Sequence, residues 1–261
     1  MALARECFWL WGHESGAHNE GWGLDGGSRI SPVEAACYMD IQNIIMVRYG
    51  ADPLPLSPQY LVPFRALRRV VWSVVGAGGT HQHDEVARVL EVPRRLPNMT
   101  GVMMDDFFRR TQEDVGVLSV AELRSLRDRL SRADRPLDLW VVLYDHQLDL
   151  PVGPHLALCD KVTFWTWKAQ QLEGLEESFG RFERLVPDGR GKVLGCYMWD
   201  YGAKRPMPLE LMQRQCELGL RWLEERRIEG MIFLASCICD LGLDAVEWTR
   251  QWIQQAGSHE L

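Results

Sequence analysis

The chain has 261 residues, 46% apolar and 25% charged, with a formal net charge of −7. That balance belongs to a globular protein with a sizeable core, and the length suits one large α/β barrel or two smaller domains. A negative chain without a lysine- or arginine-rich run argues against a nucleic-acid partner, and no apolar run approaches membrane-spanning length. The segment Met1–Glu6 leads straight into Cys7-Phe-Trp-Leu-Trp11. It lacks the basic and long apolar regions of a signal peptide, so a cytoplasmic location is expected. Seven cysteines are scattered through apolar stretches and read as reduced core residues; Cys237-Ile-Cys239 has the wrong spacing for a zinc knuckle.

Cys7–Trp11 reads as a first strand, followed by His13-Glu14 and a long glycine-rich loop to Arg29 that could serve as a lid. Ser31-Pro32-Val33-Glu34 is a helix start, with serine as cap, proline at the first position and glutamate reaching back. Asn43–Tyr49 is a second strand, Ser57-Pro58 opens a short helix that Pro63 distorts, and Arg69–Val75 is a third strand. Gly76-Ala-Gly-Gly-Thr80 follows it, then His81, His83 and a helix with Val86, Val89 and Leu90 on one face. Those glycines could cradle an anion, but the loop lacks the Lys-Ser/Thr of a P-loop and the dinucleotide fingerprint, so no cofactor is expected. Gly101-Val-Met-Met104 is a fourth strand that ends on Asp105-Asp106. A second capping box, Ser119–Glu122, starts a helix with Leu123, Leu126 and Leu130 inward. Leu137–Tyr144 is a fifth strand, Gly153–Cys159 a short helix and Lys161–Trp165 a sixth strand. Leu172, Leu175, Phe179 and Phe182 then form a helical stripe. Lys192–Trp199 is a seventh strand, and Pro208 starts a helix with Leu209, Met212, Cys216, Leu220 and Leu223 inward. Gly230–Ala235 is an eighth strand, and Asp244-Ala-Val-Glu247 caps a last helix through Trp248 and Trp252.

Strands that are apolar almost throughout are those buried on both faces in parallel sheets. Eight strand–helix units without a domain-sized interruption predict one α/β domain over residues 1–261, a (β/α)8 TIM barrel, rather than a doubly wound open sheet. In such barrels chemistry collects at the carboxyl ends of the strands. Those positions carry His13-Glu14, Tyr49, His81 and His83, Asp105-Asp106, Tyr144-Asp145-His146, Trp165, Trp167-Lys168 and Trp199-Asp200-Tyr201. The amino ends show little of this.

Acids beside tryptophans suit a carbohydrate, because indole faces cover the C–H face of a sugar while carboxyl groups bind hydroxyls and move protons. Glycoside hydrolysis in its common form needs one protonated and one ionised carboxyl group. Two acids held close separate their pKa values, which makes an acid available near neutrality. Asp105 and Asp106 are the leading pair; Asp200, across the barrel mouth on strand seven, is the alternative partner for a strand-four acid. His13, Glu14, Tyr49, Tyr144, Asp145, His146, Trp165, Trp167, Lys168, Trp199 and Tyr201 are candidate sugar contacts. Asp145 and Asp200 have a plainer reading as turn acids that accept backbone N–H bonds.

Met103-Met104-Asp105-Asp106 resembles the strand-four acidic pair of barrel hexosaminidases that use the substrate's own acetamido group, the O-GlcNAcase type. The resemblance implies a glycosidase in which Asp105 orients the acetamido group and Asp106 is the general acid. The chain has no Asp-x-x-Asp-x-Asp-x-Glu run and no tryptophan at the end of strand eight. Two other readings use the same rim. A divalent-metal hydrolase or isomerase could draw zinc or manganese ligands from His13, Glu14, His81, His83, Asp105, Asp145 and His146. A catalytically inactive sugar-binding barrel would need Trp165, Trp167 and Trp199 but not paired acids.

Overall fold

The computed structural model describes residues 2–16, 19–50, 52, 54–82, 84–109 and 115–261. Seven parallel strands lie side by side in chain order: β1 (Phe8–Gly12), β2 (Asn43–Met46), β3 (Arg69–Val75), β4 (Met99–Met104), β5 (Asp138–Tyr144), β6 (Lys161–Trp165) and β7 (Gly191–Tyr197). A small antiparallel hairpin follows, β8 (Trp199–Asp200) with β9 (Arg205–Pro206). The eighth barrel strand, β10 (Gly230–Leu234), pairs with β7 on one side and β1 on the other, which closes the sheet. The helices α1 (Pro32–Tyr38), α2 (Pro58–Leu61), α3 (Glu85–Val89), α4 (Val120–Ser131), α5 (Gly153–Leu156), α6 (Leu175–Leu185), α7 (Leu209–Glu224) and α8 (Asp244–Ala256) alternate with the strands. The fold is a (β/α)8 barrel. A closed sheet excludes the doubly wound alternative, which needs two free edges.

Alternate residues of each strand point in and out. On β6, Phe164 faces outward and packs on Phe179 and Phe182 of α6, with ring centroids 6.0 and 4.9 Å away. Its neighbour Trp165 faces inward, 5.3 Å from Trp11 of β1. Trp9 and Trp140, from strands on opposite sides of the barrel, meet at 5.0 Å and fill the lower interior. Each large apolar side chain so buried contributes about 1.5–3 kcal/mol.

Both capping boxes form. Ser31 Oγ accepts from Glu34 N–H while Glu34 accepts from Ser31 N–H, and Ser119 and Glu122 do the same. Each serine cap contributes about 1 kcal/mol. Three local expectations are corrected. The second strand ends at Met46, and beyond it the chain turns to bury the Arg48 guanidinium against Glu85. Leu209 occupies the first position of α7 and is 42% exposed, and Leu220 is only partly buried; the buried residues are Met212, Gln215, Cys216, Leu218, Gly219, Trp222 and Leu223. Asp244 lies inside the first turn of α8, whose cap position is Leu243, and no side chain caps it. Among the described residues no helix is long and apolar enough to cross a membrane.

Candidate active site

Adjacent residues of a regular strand face opposite ways, so Asp105 and Asp106 can share a cleft only if the strand stops between them. It does. Asp105 N–H still bonds to Val75 O of β3 at 3.0 Å, but Asp106 adopts a left-handed conformation with φ 45° and swings its side chain back. That conformation costs a non-glycine residue about 1–2 kcal/mol and is most tolerable for Asp and Asn, whose side chains bond locally. Here Asp106 N–H donates to Asp105 Oδ1 at 2.8 Å. Asp106 Oδ1 accepts from the Tyr144 hydroxyl at 2.7 Å, and Oδ2 accepts from Gly78 N–H at 2.7 Å. Asp105 is buried, and its pKa is raised well above the usual carboxylate value, first by loss of water and then by the Asp106 charge; the Asp106 N–H partly opposes this.

The glycine loop after β3, a candidate anion cradle, thus offers an N–H to the chain's own carboxylate. Gly78 and Gly79 both have positive φ, and a β-carbon at Gly79 would lie 2.8 Å from Asp106 O. The loop is fastened by Arg48, which pairs with both Glu85 oxygens at 2.8 and 3.0 Å and donates to Thr80 O and Gly50 O at 2.9 and 2.6 Å. On the other side Tyr144 is fixed by Gln147, which accepts from Tyr144 N–H and donates to Phe108 O.

Around the two acids lies an open cleft whose walls are mainly aromatic. Trp165 forms the floor, with its indole N–H on Thr163 Oγ1 at 2.8 Å; a β-carbon at Gly195 would come within 2.1–2.4 Å of its ring. Tyr197 lies beside it at 5.0 Å, and Trp167 stands edge-on to both Tyr144 and Tyr197. His13 lines the cleft but is locked as a neutral ring. Its Nδ1 bonds to Val47 O at 2.9 Å, its Nε2 accepts from Trp11 Nε1 at 3.1 Å, and burial lowers its pKa to about 4. Tyr49 stands at the mouth, 41% exposed, edge-on to His13. Trp22 closes one side, packed against Trp167 and Tyr201. The loop expected as a lid is therefore anchored. Trp199 Nε1 donates to Trp22 O at 3.0 Å, Lys204 Nζ donates to Gly21 O at 2.8 Å, and Asn19 donates to Cys237 O at 2.9 Å.

Of the residues singled out in the sequence, Asp105, Asp106, His13, Tyr49, Tyr144, Trp165, Trp167 and Tyr201 line this cleft. His146, stacked on Tyr144 at 5.3 Å, lines an adjoining recess that shares Asp106, Tyr144 and Trp167 with it. The remainder lie outside both. Asp200 is buried in the hairpin turn, where Ala203 N–H and Arg205 occupy its two oxygens. Asp145 accepts from the backbone N–H groups of His146 and Trp167, as a turn acid does. Lys168 is exposed, Trp199 serves the clasp on Trp22, and Glu14 is half-buried with its pKa raised by burial and by Asp52. Trp11, Trp22, Ala77, Tyr197 and Leu234 also line the cleft and went unmarked. Tyr197 had a legible signal, lying two residues after Gly195 on the inward face of β7. Among the described residues no group of three or more His, Cys, Asp or Glu side chains is disposed to hold a metal ion; His83, one proposed ligand, lies outside those residues.

No protein-family model and no curated protein matches the chain. Solved structures do. A chitinase domain from Pyrococcus furiosus, solved with chito-oligosaccharides, superposes with a TM-score of 0.62 at 13% identity, covering 98% of this chain and 97% of that one. An endo-β-N-acetylglucosaminidase from Cordyceps militaris gives 0.55 at 11% identity over 95% and 89%. A tryptophan synthase complex from Pyrococcus furiosus gives 0.53 at 10% over 98% and 99%. What the chain shares with all three is the closed eight-stranded barrel.

Proposed function

We propose that the cleft hydrolyses a glycosidic bond, with Asp105 and Asp106 as its two working carboxyl groups. One observation carries the reading: adjacent acids in unlike surroundings, one stripped of water and one holding two hydrogen-bond donors, open into an aromatic cleft at the carboxyl end of β4. Glycoside hydrolysis asks for that division between a proton donor and an acceptor. The likeness to a chitinase and an endo-β-N-acetylglucosaminidase supports it at the level of fold.

Both acids stand on the same strand end, and no other carboxylate among the described residues lines the cleft. A pair so placed does not flank a sugar ring as the usual two carboxyl groups do. It suits a substrate that brings its own nucleophile, such as an acetamido group. In our reading Asp105, whose surroundings favour the neutral form, protonates the leaving oxygen. Asp106 accepts a hydrogen bond from the substrate, since each of its oxygens retains a lone pair beyond the bonds it makes. These roles are the reverse of those the hexosaminidase resemblance implies.

Kinetics of two variants on a panel of chromogenic and natural glycosides test both points. Asp105→Asn should lower kcat/KM by about 10²–10⁴ for poor leaving groups and much less for nitrophenolate, which needs no proton. Asp106→Asn should depress both alike. The opposite pattern assigns the acid to Asp106, and undiminished turnover in both variants ends the glycosidase reading. Binding across a glycan panel without turnover by the wild type would favour the inactive sugar-binding barrel.

A further inference from the structure

The lining of the cleft has a charge imbalance that bears on its ligand. Two carboxyl groups and a set of aromatic rings face the space, and among the described residues that line it there is neither lysine nor arginine. Three cations near it among the described residues are held elsewhere. Arg48 is buried in its pair with Glu85, and Arg205 reaches Asp200 in the hairpin. Lys204 sits over the Trp22 ring at 5.6 Å, with its ammonium on Gly21 O, and does not line the cleft. Lys168 is exposed and lies outside the lining. Among the described residues His13 is the one basic ring that lines the cleft, His146 lying in the adjoining recess, and both ring nitrogens of His13 are used: Nδ1 bonds to Val47 O and Nε2 accepts from Trp11.

An anionic group entering this space would lose water, face the Asp106 carboxylate and the negative faces of the indole and phenol rings, and find no counter-charge. Burying an unpaired charge is costly, and a like charge adds to the cost. Exclusion through an unmatched charge is a standard way to build specificity. We propose that the cleft admits a sugar ring bearing no negative charge and rejects uronic, sulfated and phosphorylated sugars. The same lining favours a ring that becomes positive, because aromatic faces and carboxylates attract cations. The proposal rests on the glycosidase reading for its ligand class, but it concerns binding and can be tested without turnover.

Matched ligands separate charge from shape. Glucose, glucuronamide and glucuronate share one ring configuration, and galactose, galacturonamide and galacturonate share another; N-acetylglucosamine tests a neutral amide at carbon two. Titration followed by tryptophan fluorescence reports directly, since four tryptophans line the cleft. In at least one series the sugar and its amide should bind roughly tenfold or more tighter than the uronate at pH 7. Ala77, on the wall beside Gly78, is where a cation can be added. Ala77→Arg should narrow the gap by selectively improving uronate binding, while Ala77→Met, of similar bulk, should not.

A uronate that binds as tightly as its amide in every series where either binds would overturn the proposal and leave hydrolysis standing. So would an Ala77→Arg effect that Ala77→Met reproduces. Neutral sugars that bind with the expected preference while no glycoside is cleaved would support this proposal and remove the hydrolytic one. Absence of binding by every sugar would overturn both.

Discussion

At Gly195 and Trp165 the site depends on a side chain that is missing. A β-carbon at residue 195 would sit 2.1–2.4 Å from three carbons of the Trp165 indole, closer than any non-bonded pair tolerates. The indole cannot retreat freely, because its N–H is held by Thr163 and Trp11 packs across from it. Gly195→Ala should therefore cost about 1–3 kcal/mol, the range for overpacking a filled core. It should also tilt the cleft floor, weakening sugar binding by more than the loss of stability alone implies. Denaturant unfolding and ligand titration of the same variant check the two effects, and a stable variant with unchanged binding would show that Trp165 is not the floor. A related constraint acts at Asp106, whose φ of 45° is poorly suited to alanine. Asparagine keeps the left-handed conformation accessible, so Asp106→Asn is a cleaner probe of chemistry than Asp106→Ala.

Between elements, the acids owe their placement to a buried ion pair remote from the chemistry. Arg48, just beyond β2, ties Gly50 O, Thr80 O and Glu85 of α3 together, and the loop so fastened presents Gly78 N–H to Asp106. Arg48→Met should destabilise the fold by about 3–5 kcal/mol, because it leaves Glu85 buried and unpaired. Adding Glu85→Leu should recover much of that loss without restoring activity, since Thr80 O and Gly50 O remain untied. Urea midpoints and turnover of the single and double variants give the answer; a loss under about 1 kcal/mol in the single variant would remove the clamp from the account. No pattern in the sequence marks this pair, because its partners lie 37 residues apart and meet only because β2 and β3 lie side by side. The barrel itself was legible because its signals are local: continuous apolar strands, two capping boxes and turn residues in alternation. Site residues were legible only where strand ends were read correctly. The apolar run of β7 continues to Trp199 although the strand stops at Tyr197, so the sequence pattern sets Trp199 and Asp200 at the rim and passes over Tyr197. Trp22 reaches the cleft from a loop folded back by the hairpin, which spacing along a chain does not reveal.

For the whole molecule, buried titrating groups of opposite sense should shape stability against pH. His13 has its pKa lowered from 6.5 to about 4 by burial. Between those values the unfolded chain binds more protons, so stability rises with pH and is complete above 6.5; at about 1.4 kcal/mol per unit the effect is on the order of 3 kcal/mol. Asp105 acts the other way. Its folded pKa is raised, so from the ordinary carboxylate range up to that raised value the folded state binds more protons, and stability falls as pH climbs. Glu14 and Asp138, also raised by burial, add to that fall. Near pH 4–6.5 the two slopes oppose each other, so the wild type should show a flatter profile than either single variant. Asp105→Asn removes the Asp105 share of the fall, leaving only that of Glu14 and Asp138, and should give a steeper rise towards neutrality, with its advantage over the wild type growing as pH increases. His13→Gln removes the rise and should leave stability declining across the same interval. Thermal midpoints of the three proteins from pH 4 to 8 measure this directly. Parallel profiles for Asp105→Asn and the wild type would mean that the Asp105 carboxyl ionises in the fold as it does in water, and the assignment of the proton donor would fail with it.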